Sequence, residues 1–177
     1  MIRLILDLCG GSGAWSAPYR DAGYQVEIID LPSDVRLREF ERYPVHGILA
    51  APPCTVFANS GARWVRAHAE ILGALSVVDA CLRLVALHRP HWWALENPVG
   101  KLQRWLGPPV MYFDPCDYGD PHTKRTALWG RFTPPFKRRV PVEGKNPIHH
   151  MPPCPERAAK RSITPAGFAR AFFEANP

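Results

Sequence analysis

The 177-residue chain lacks what several protein classes require. No uninterrupted apolar run reaches the roughly 18 residues of a membrane-spanning helix, so no bilayer span is expected. The apolar stretch after Met1 (Ile2, Leu4, Ile5, Leu6) is too short for a secretory signal and is followed by no small-residue cleavage site, so a cytoplasmic chain is expected. The five cysteines, Cys9, Cys54, Cys81, Cys116 and Cys154, are odd in number and scattered. No two stand at the close gaps that chelate zinc, so neither a disulfide framework nor a metal site is indicated. There is no internal repeat, and the length leaves no room for a second large domain.

Charge is present but uneven. The chain carries 22 Lys and Arg against 16 Asp and Glu, a formal net charge of +6. Residues 131–161 hold eight of the bases and two of the acids, which leaves 14 of each sign elsewhere, so all the excess sits in one segment. Pro134, Pro135, Pro141, Pro147, Pro152, Pro153 and Pro155 interrupt any long element there. The expectation is one domain, 1–177, with 131–161 a short, basic, proline-stiffened excursion. Over the whole chain, 46% hydrophobic residues suit a globular core.

Along the chain, short apolar runs alternate with helical patterns. Ile2 to Leu8, Val26 to Ile29, Val45 to Ala51 and His91 to Leu95 read as strands. Between the last two, Ile71, Leu75, Val78, Leu82 and Val85 recur at four-then-three spacing, one face of a long amphipathic helix over Arg63 to His88. A final helix is expected after Thr164, a suitable N-cap, with Pro165 at its first position. This alternation predicts an α/β fold, a mostly parallel sheet with helices on both faces, and sites at the C-terminal ends of its strands.

Those strand ends carry the residues of interest. Asp7-Leu8-Cys9-Gly10-Gly11-Ser12-Gly13 puts three glycines where a strand turns into a helix, so backbone N–H groups can be aimed at a nucleotide-like cofactor. An ordinary glycine turn is the alternative. No Lys-Ser/Thr follows to make a phosphate-binding loop. Asp30 ends the next strand, where a carboxylate can accept both ribose hydroxyls, and Asp34 is near enough to reach an adenine amino group. Ala51-Pro52-Pro53-Cys54 ends the third strand with a thiol whose ionised form nearby N–H groups can favour, although such a cysteine is also commonly an inert buried residue. Glu96-Asn97-Pro98 ends the fourth, after Trp92 and Trp93, where desolvation would fit a glutamate to hold or donate a proton; an exposed loop carboxylate is the alternative. Tyr118 to Thr126 supplies a basic loop or a solvated turn.

In this order the motifs resemble the cytosine-5 DNA methyltransferase family over most of the chain, in a small, phage- or prophage-like form with a reduced target recognition region. The family's Asp-Leu-Phe-x-Gly-x-Gly is matched by Asp7 to Gly13, with Cys9 in place of the phenylalanine. Its Pro-Cys-x-x-Phe-Ser resembles Pro53, Cys54, Phe57 and Ala58, and its Glu-Asn-Val resembles Glu96, Asn97 and Pro98. Its Gln-x-Arg-x-Arg is similar to His122, Thr123, Lys124, Arg125 and Thr126, and its Arg-x-Leu-Thr to Arg161, Ser162, Ile163 and Thr164. The family's last motif, an Asn-Ser-Val segment, has no clear counterpart, although Asn176 stands near the end.

The resemblance implies a Rossmann-like methyltransferase fold, S-adenosylmethionine as cofactor and DNA, double- or single-stranded, as partner, with no membrane and no metal, in a bacterial or phage-infected host cell. It implies cofactor contacts from Asp7, Leu8, Cys9, Gly10, Gly11, Ser12, Gly13, Asp30, Leu31, Asp34, Val35 and Pro52. Cys54 and Glu96, with Lys124 and Arg125, would be catalytic. Arg131, Lys137, Arg138, Arg139, Lys145 and Arg161 would hold the nucleic-acid backbone.

The chemistry needs these residue types together. Carbon 5 of cytosine becomes nucleophilic once a thiolate adds to carbon 6, and a proton shared with ring N3 offsets the charge this creates. The base must be flipped out or already single-stranded. An RNA cytosine-5 enzyme has the same layout. A degenerate methyltransferase fold that only binds nucleic acid is the reading outside the enzyme class.

Overall fold

The computed structural model describes residues 3–39, 43–59, 65–144, 151, 152, 154 and 156–177. Six strands form one sheet in the order β2-β1-β3-β4-β6-β5. They are β1 (Leu4–Leu8), β2 (Gln25–Ile29), β3 (Gly47–Ala50), β4 (Trp92–Pro98), β5 (Met111–Phe113) and β6 (Thr126–Arg131). The first four are parallel; β6 runs antiparallel to β4, and β5 antiparallel to β6. The four parallel strands lie where the sequence reading puts them, but β4 does not stop at Leu95: Glu96, Asn97 and Pro98 continue it because β6 pairs alongside, and this antiparallel edge is additional. The basic loop expected up to Thr126 ends where β6 begins, paired with Pro98.

Alternation along β1 divides the core. Leu4, Leu6 and Leu8 pack with Ile48, Leu95 and Trp129 against Val78, Ala80, Cys81 and Leu84 of α2 (His68–His88). Ile5 joins Leu49, Ala94 and Leu128 on the other face, under Trp15, Tyr19 of α1 (Ala17–Asp21), and Phe168 and Phe172 of α5 (Ala166–Ala175). Helices cover both faces, as a parallel sheet requires. By length and composition α2 is apolar enough to cross a membrane. Its buried stripe instead meets the sheet as a core helix.

The ends of α2 are set locally. The Glu70 carboxylate accepts the Ala67 N–H at 2.9 Å, and Arg89, left-handed at φ 48°, stops the helix before Pro90. The helix starts later than the Arg63 expected: Val65 to Ala67 are not helical, Ala67 is extended at the N-cap, and Arg63 itself lies outside the described residues. Helix α5 begins one residue later than expected. Pro165 sits at the N-cap, and Asp120, from a distant loop, accepts the Gly167 N–H at 3.1 Å. Two short helices, α3 (Gln103–Leu106) and α4 (Arg157–Ser162), complete the described elements.

Candidate active site

The glycine loop after β1 is built from inside. Asp7 is fully buried and accepts a hydrogen bond from Ser16 Oγ. A Cβ on Gly10 would stand 2.4 Å from the Asp7 carboxyl carbon, and one on Gly13 2.5 Å from Ile28. These two glycines let the turn close on its own chain. Gly11, at φ +52°, is exposed, and its Cβ position lies 3.6 Å from an Asp30 carboxylate oxygen. The open face of the loop thus consists of Gly11 and exposed Ser12 beside Asp30. Burial raises the Asp7 pKa to about 6; Ser16 and Arg20 oppose the rise and the Asp30 charge adds to it.

The other residues assigned to a cofactor divide. Leu8 and Val35 are core residues. Cys9 is held at φ 56° with its N–H on the Ile29 carbonyl at 2.7 Å, and its thiol is hydrogen-bonded with that of Cys81. Leu31, 80% exposed, follows Asp30, whose carboxylate accepts the Leu31 N–H at 2.8 Å. Asp34 is engaged by Arg36, which donates its backbone N–H and its guanidinium at 2.5–3.0 Å and holds the carboxyl below its ordinary pKa.

Cys54 and Glu96 come from adjacent parallel strands. Ala50 pairs with Leu95, so the chain reaches Glu96 one residue later and Cys54 four residues later. The Cys54 carbonyl accepts the N–H groups of Phe57 and Ala58 at 3.0 and 2.8 Å, closing a turn directly after the thiol. Buried Asn97 donates to the Pro52 carbonyl at 2.9 Å. Beyond it the two loops pair: Lys101 N–H donates to the Phe57 carbonyl at 2.7 Å, Asn59 N–H donates to the Val99 carbonyl at 3.2 Å, and Ala58 bridges Gly100. A Cβ on Gly100 would lie 2.0 Å from the Phe57 oxygen, so only glycine permits this approach.

The electrostatics link the same residues. Burial pushes the Cys54 thiol up from its ordinary pKa and the Glu96 charge pushes it further; Lys124, the Cys54 backbone N–H and Arg161 pull it down. Glu96 is also raised, by burial, with Lys124 opposing. The thiolate is therefore not favoured at rest, contrary to what the strand-to-helix junction suggests by itself. The Lys124 charge acts on both groups and the Arg161 charge on Cys54. Arg125 does not: it ion-pairs with Asp114 at 3.2 Å and lies 5.4 Å over the Tyr112 ring. Sequence reasoning missed the ties made by Ser16, Asn97 and Gly100. The Asn-Pro doublet and the glycine two residues on were the available signal for two of them.

The basic segment is partly neutralised. Lys137 and Arg139 lie 2.9 and 4.0 Å from Asp117, while the Arg138 N–H donates to the Asp117 carbonyl at 2.8 Å. Arg131 pairs with Trp93, at the opposite end of β4 from Pro98, and donates to the Pro90 carbonyl. Lys145 lies outside the described residues. Among the described residues no group of three or more His, Cys, Asp or Glu could hold a metal ion.

No family model and no curated protein matches the sequence. A solved structure from E. coli, described as a "putative DNA modification methyltransferase encoded within prophage Cp", superposes with a TM-score of 0.53 at 19% identity. The match covers 86% of this chain and 56% of that one, so the chain spans little more than half of its neighbour's length. With the six-stranded mixed sheet, this likeness gives the chain an α/β, Rossmann-like methyltransferase fold.

Proposed function

We propose that the chain is a DNA cytosine-5 methyltransferase that takes its methyl group from S-adenosylmethionine and works through a covalent Cys54 adduct. The observation that carries this reading is the Cys54–Glu96 pair. A thiol just beyond β3 and a carboxyl near the C-terminal end of the neighbouring parallel β4 lie at the same edge of the sheet, the thiol in the field of Glu96, with Lys124 and Arg161 opposing the rise in the thiol pKa and the Asn97–Pro52 hydrogen bond joining the two chain segments. The likeness to an E. coli structure described as a DNA modification methyltransferase supports DNA as the polymer.

The loop after β1 fits the methyl donor. Gly11 offers a backbone without a side chain on its open face, Asp30 a carboxylate for a ribose, and Leu31 an exposed apolar surface for an adenine. S-adenosylmethionine, when bound, supplies an electrophilic sulfonium methyl. The rest of the chemistry belongs to the chain. Cys54 gives its proton to water as its sulfur adds to carbon 6 of cytosine, and Glu96, whose raised pKa favours the protonated form, shares its own proton with ring N3. A protonated Glu96 also removes the negative charge that disfavours the Cys54 thiolate. After methyl transfer, water takes the carbon-5 proton, the carbon–sulfur bond breaks to release the Cys54 thiolate, and the ring is restored. The excursion at 131–161 serves as a reduced recognition region, and its brevity implies short or relaxed specificity.

The test is covalent trapping. A DNA strand carrying 5-fluorocytosine cannot release a proton from carbon 5, so the protein should remain attached through denaturation. The adduct is expected to need S-adenosylmethionine, to vanish in Cys54→Ala, and to persist in variants of Cys9, Cys81, Cys116 and Cys154. Glu96→Gln should slow its formation roughly 100- to 10,000-fold. An RNA strand run alongside separates the two polymers. Attachment through another cysteine, or no adduct and no methylation on either polymer, overturns the proposal.

A further inference from the structure

Phe136 is 80% exposed, the most exposed Phe, Trp or Tyr ring among the described residues; Trp105 follows at 46%. It is not on a loosely held stretch. Upstream, Pro135 is buried and its carbonyl accepts the Tyr118 hydroxyl. Downstream, the Arg138 and Val140 N–H groups donate to the Asp117 and Cys116 carbonyls, both at 2.8 Å. The chain is thus anchored on both sides of a ring that it turns outward. Three cations, Lys137, Arg138 and Arg139, follow directly, with side chains of Lys137 and Arg139 47% and 75% exposed. One carboxylate, Asp117, lies among them.

An exposed aromatic face beside a row of cations matches a single polymer chemistry, that of bases with flat π-faces strung on phosphates. We propose that Phe136 is a base-stacking site, its ring taking one unstacked nucleobase of a DNA strand whose phosphates lie on Lys137, Arg138 and Arg139. The choice of DNA rests on the function proposed above; the stacking itself does not depend on methyl transfer. The rigid anchoring matters, because a ring already held outward loses little conformational freedom when a base covers it.

Fluorescence anisotropy with two labelled strands of equal length tests this, one of oligodeoxythymidine and one abasic with the same phosphates. Wild-type protein is expected to bind the base-bearing strand about 5- to 150-fold more tightly than the abasic one, the range of one stacked base. Phe136→Ala and Phe136→Leu should abolish that preference and leave abasic binding and its salt dependence unchanged. Phe136→Trp should keep it. Equal affinities for both strands in the wild type, or a preference that survives Phe136→Ala, overturns the proposal. So does a wild-type dimer that Phe136→Ala converts to monomer with strand affinity unchanged, since the ring would then pack against a second copy. Base-dependent binding without methylation sinks the enzymatic reading alone; methylation with a base preference that survives Phe136→Ala sinks this one alone.

Discussion

Asp7 sets a cost at the centre of the glycine loop. Its carboxyl is fully buried, one oxygen accepting from Ser16 and the other without a hydrogen-bond partner, and its pKa stands at about 6 against an ordinary 3.8. The folded chain therefore holds a proton that the unfolded chain has released. Between about pH 4 and 6 the native state binds more protons, so stability falls as pH rises, and above 6 the loss is complete. The difference corresponds to at most about 3 kcal/mol. Asp7→Asn is neutral throughout and can still accept from Ser16, although its amide adds a constant offset where the second oxygen had no partner. Urea unfolding across this range should show the variant gaining on wild type by about 1 to 3 kcal/mol between pH 4 and 7. A difference that stays flat over that interval would mean that Asp7 titrates in the folded chain as it does unfolded.

At the scale of elements, the pairing of the Cys54 and Glu96 loops holds the candidate site together. Gly100→Ala would drive a methyl group to 2.0 Å from the Phe57 oxygen and 3.0 Å from the Ala58 Cα, so the loops must part. The expected loss is about 1 to 3 kcal/mol, the usual range for overpacking, with faster amide exchange at Asn59 and Lys101. Gly73, within α2 and with nothing within 4 Å of its Cβ position, is the control. Gly73→Ala should stabilise by about 0.4 to 1 kcal/mol, and thermal melts of the two variants moving the same way would refute the clash. This level also explains what the sequence discloses. Strands β1 to β4 are legible because each holds a short apolar run, although β4 carries on through Glu96, Asn97 and Pro98 where β6 pairs with it. β5 and β6 are not, because Met111–Phe113 has three residues and Thr126–Arg131 contains Gly130, whose φ of 148°, and whose place so near Trp93 that an added Cβ would lie 2.1 Å from its carbonyl oxygen, come from pairing alone. Likewise Cys54 and Glu96 announce themselves as residue types that follow an apolar run, Cys54 beyond β3 and Glu96 near the C-terminal end of β4. The choice between Lys124 and Arg125 depends on which side chain the Asp114 ion pair withdraws, and no local pattern encodes that.

Across the whole molecule, the net charge of +6 is concentrated in residues 131–161, yet the fold counters part of it. Buried Asp117, its carboxyl held below its ordinary pKa by Lys137, Asp114 N–H and Arg139 against the cost of burial, draws on two of the cations that would otherwise meet phosphates. Arg138 makes no ion pair among the described residues, so its charge is wholly available to a polymer. These three cations should therefore contribute unequally. In a titration of duplex DNA from roughly 50 to 200 mM salt, Arg138→Gln is expected to flatten the plot of log affinity against log salt by about 0.9, the value of one phosphate contact. Lys137→Gln should flatten it by less, because Asp117 already offsets that charge. Asp117→Asn should act in the opposite sense, releasing Lys137 and Arg139 and raising affinity most at low salt, with a steeper slope. A common slope for wild type and all three variants would place the DNA backbone elsewhere on the molecule and leave the basic excursion a merely solubilising surface.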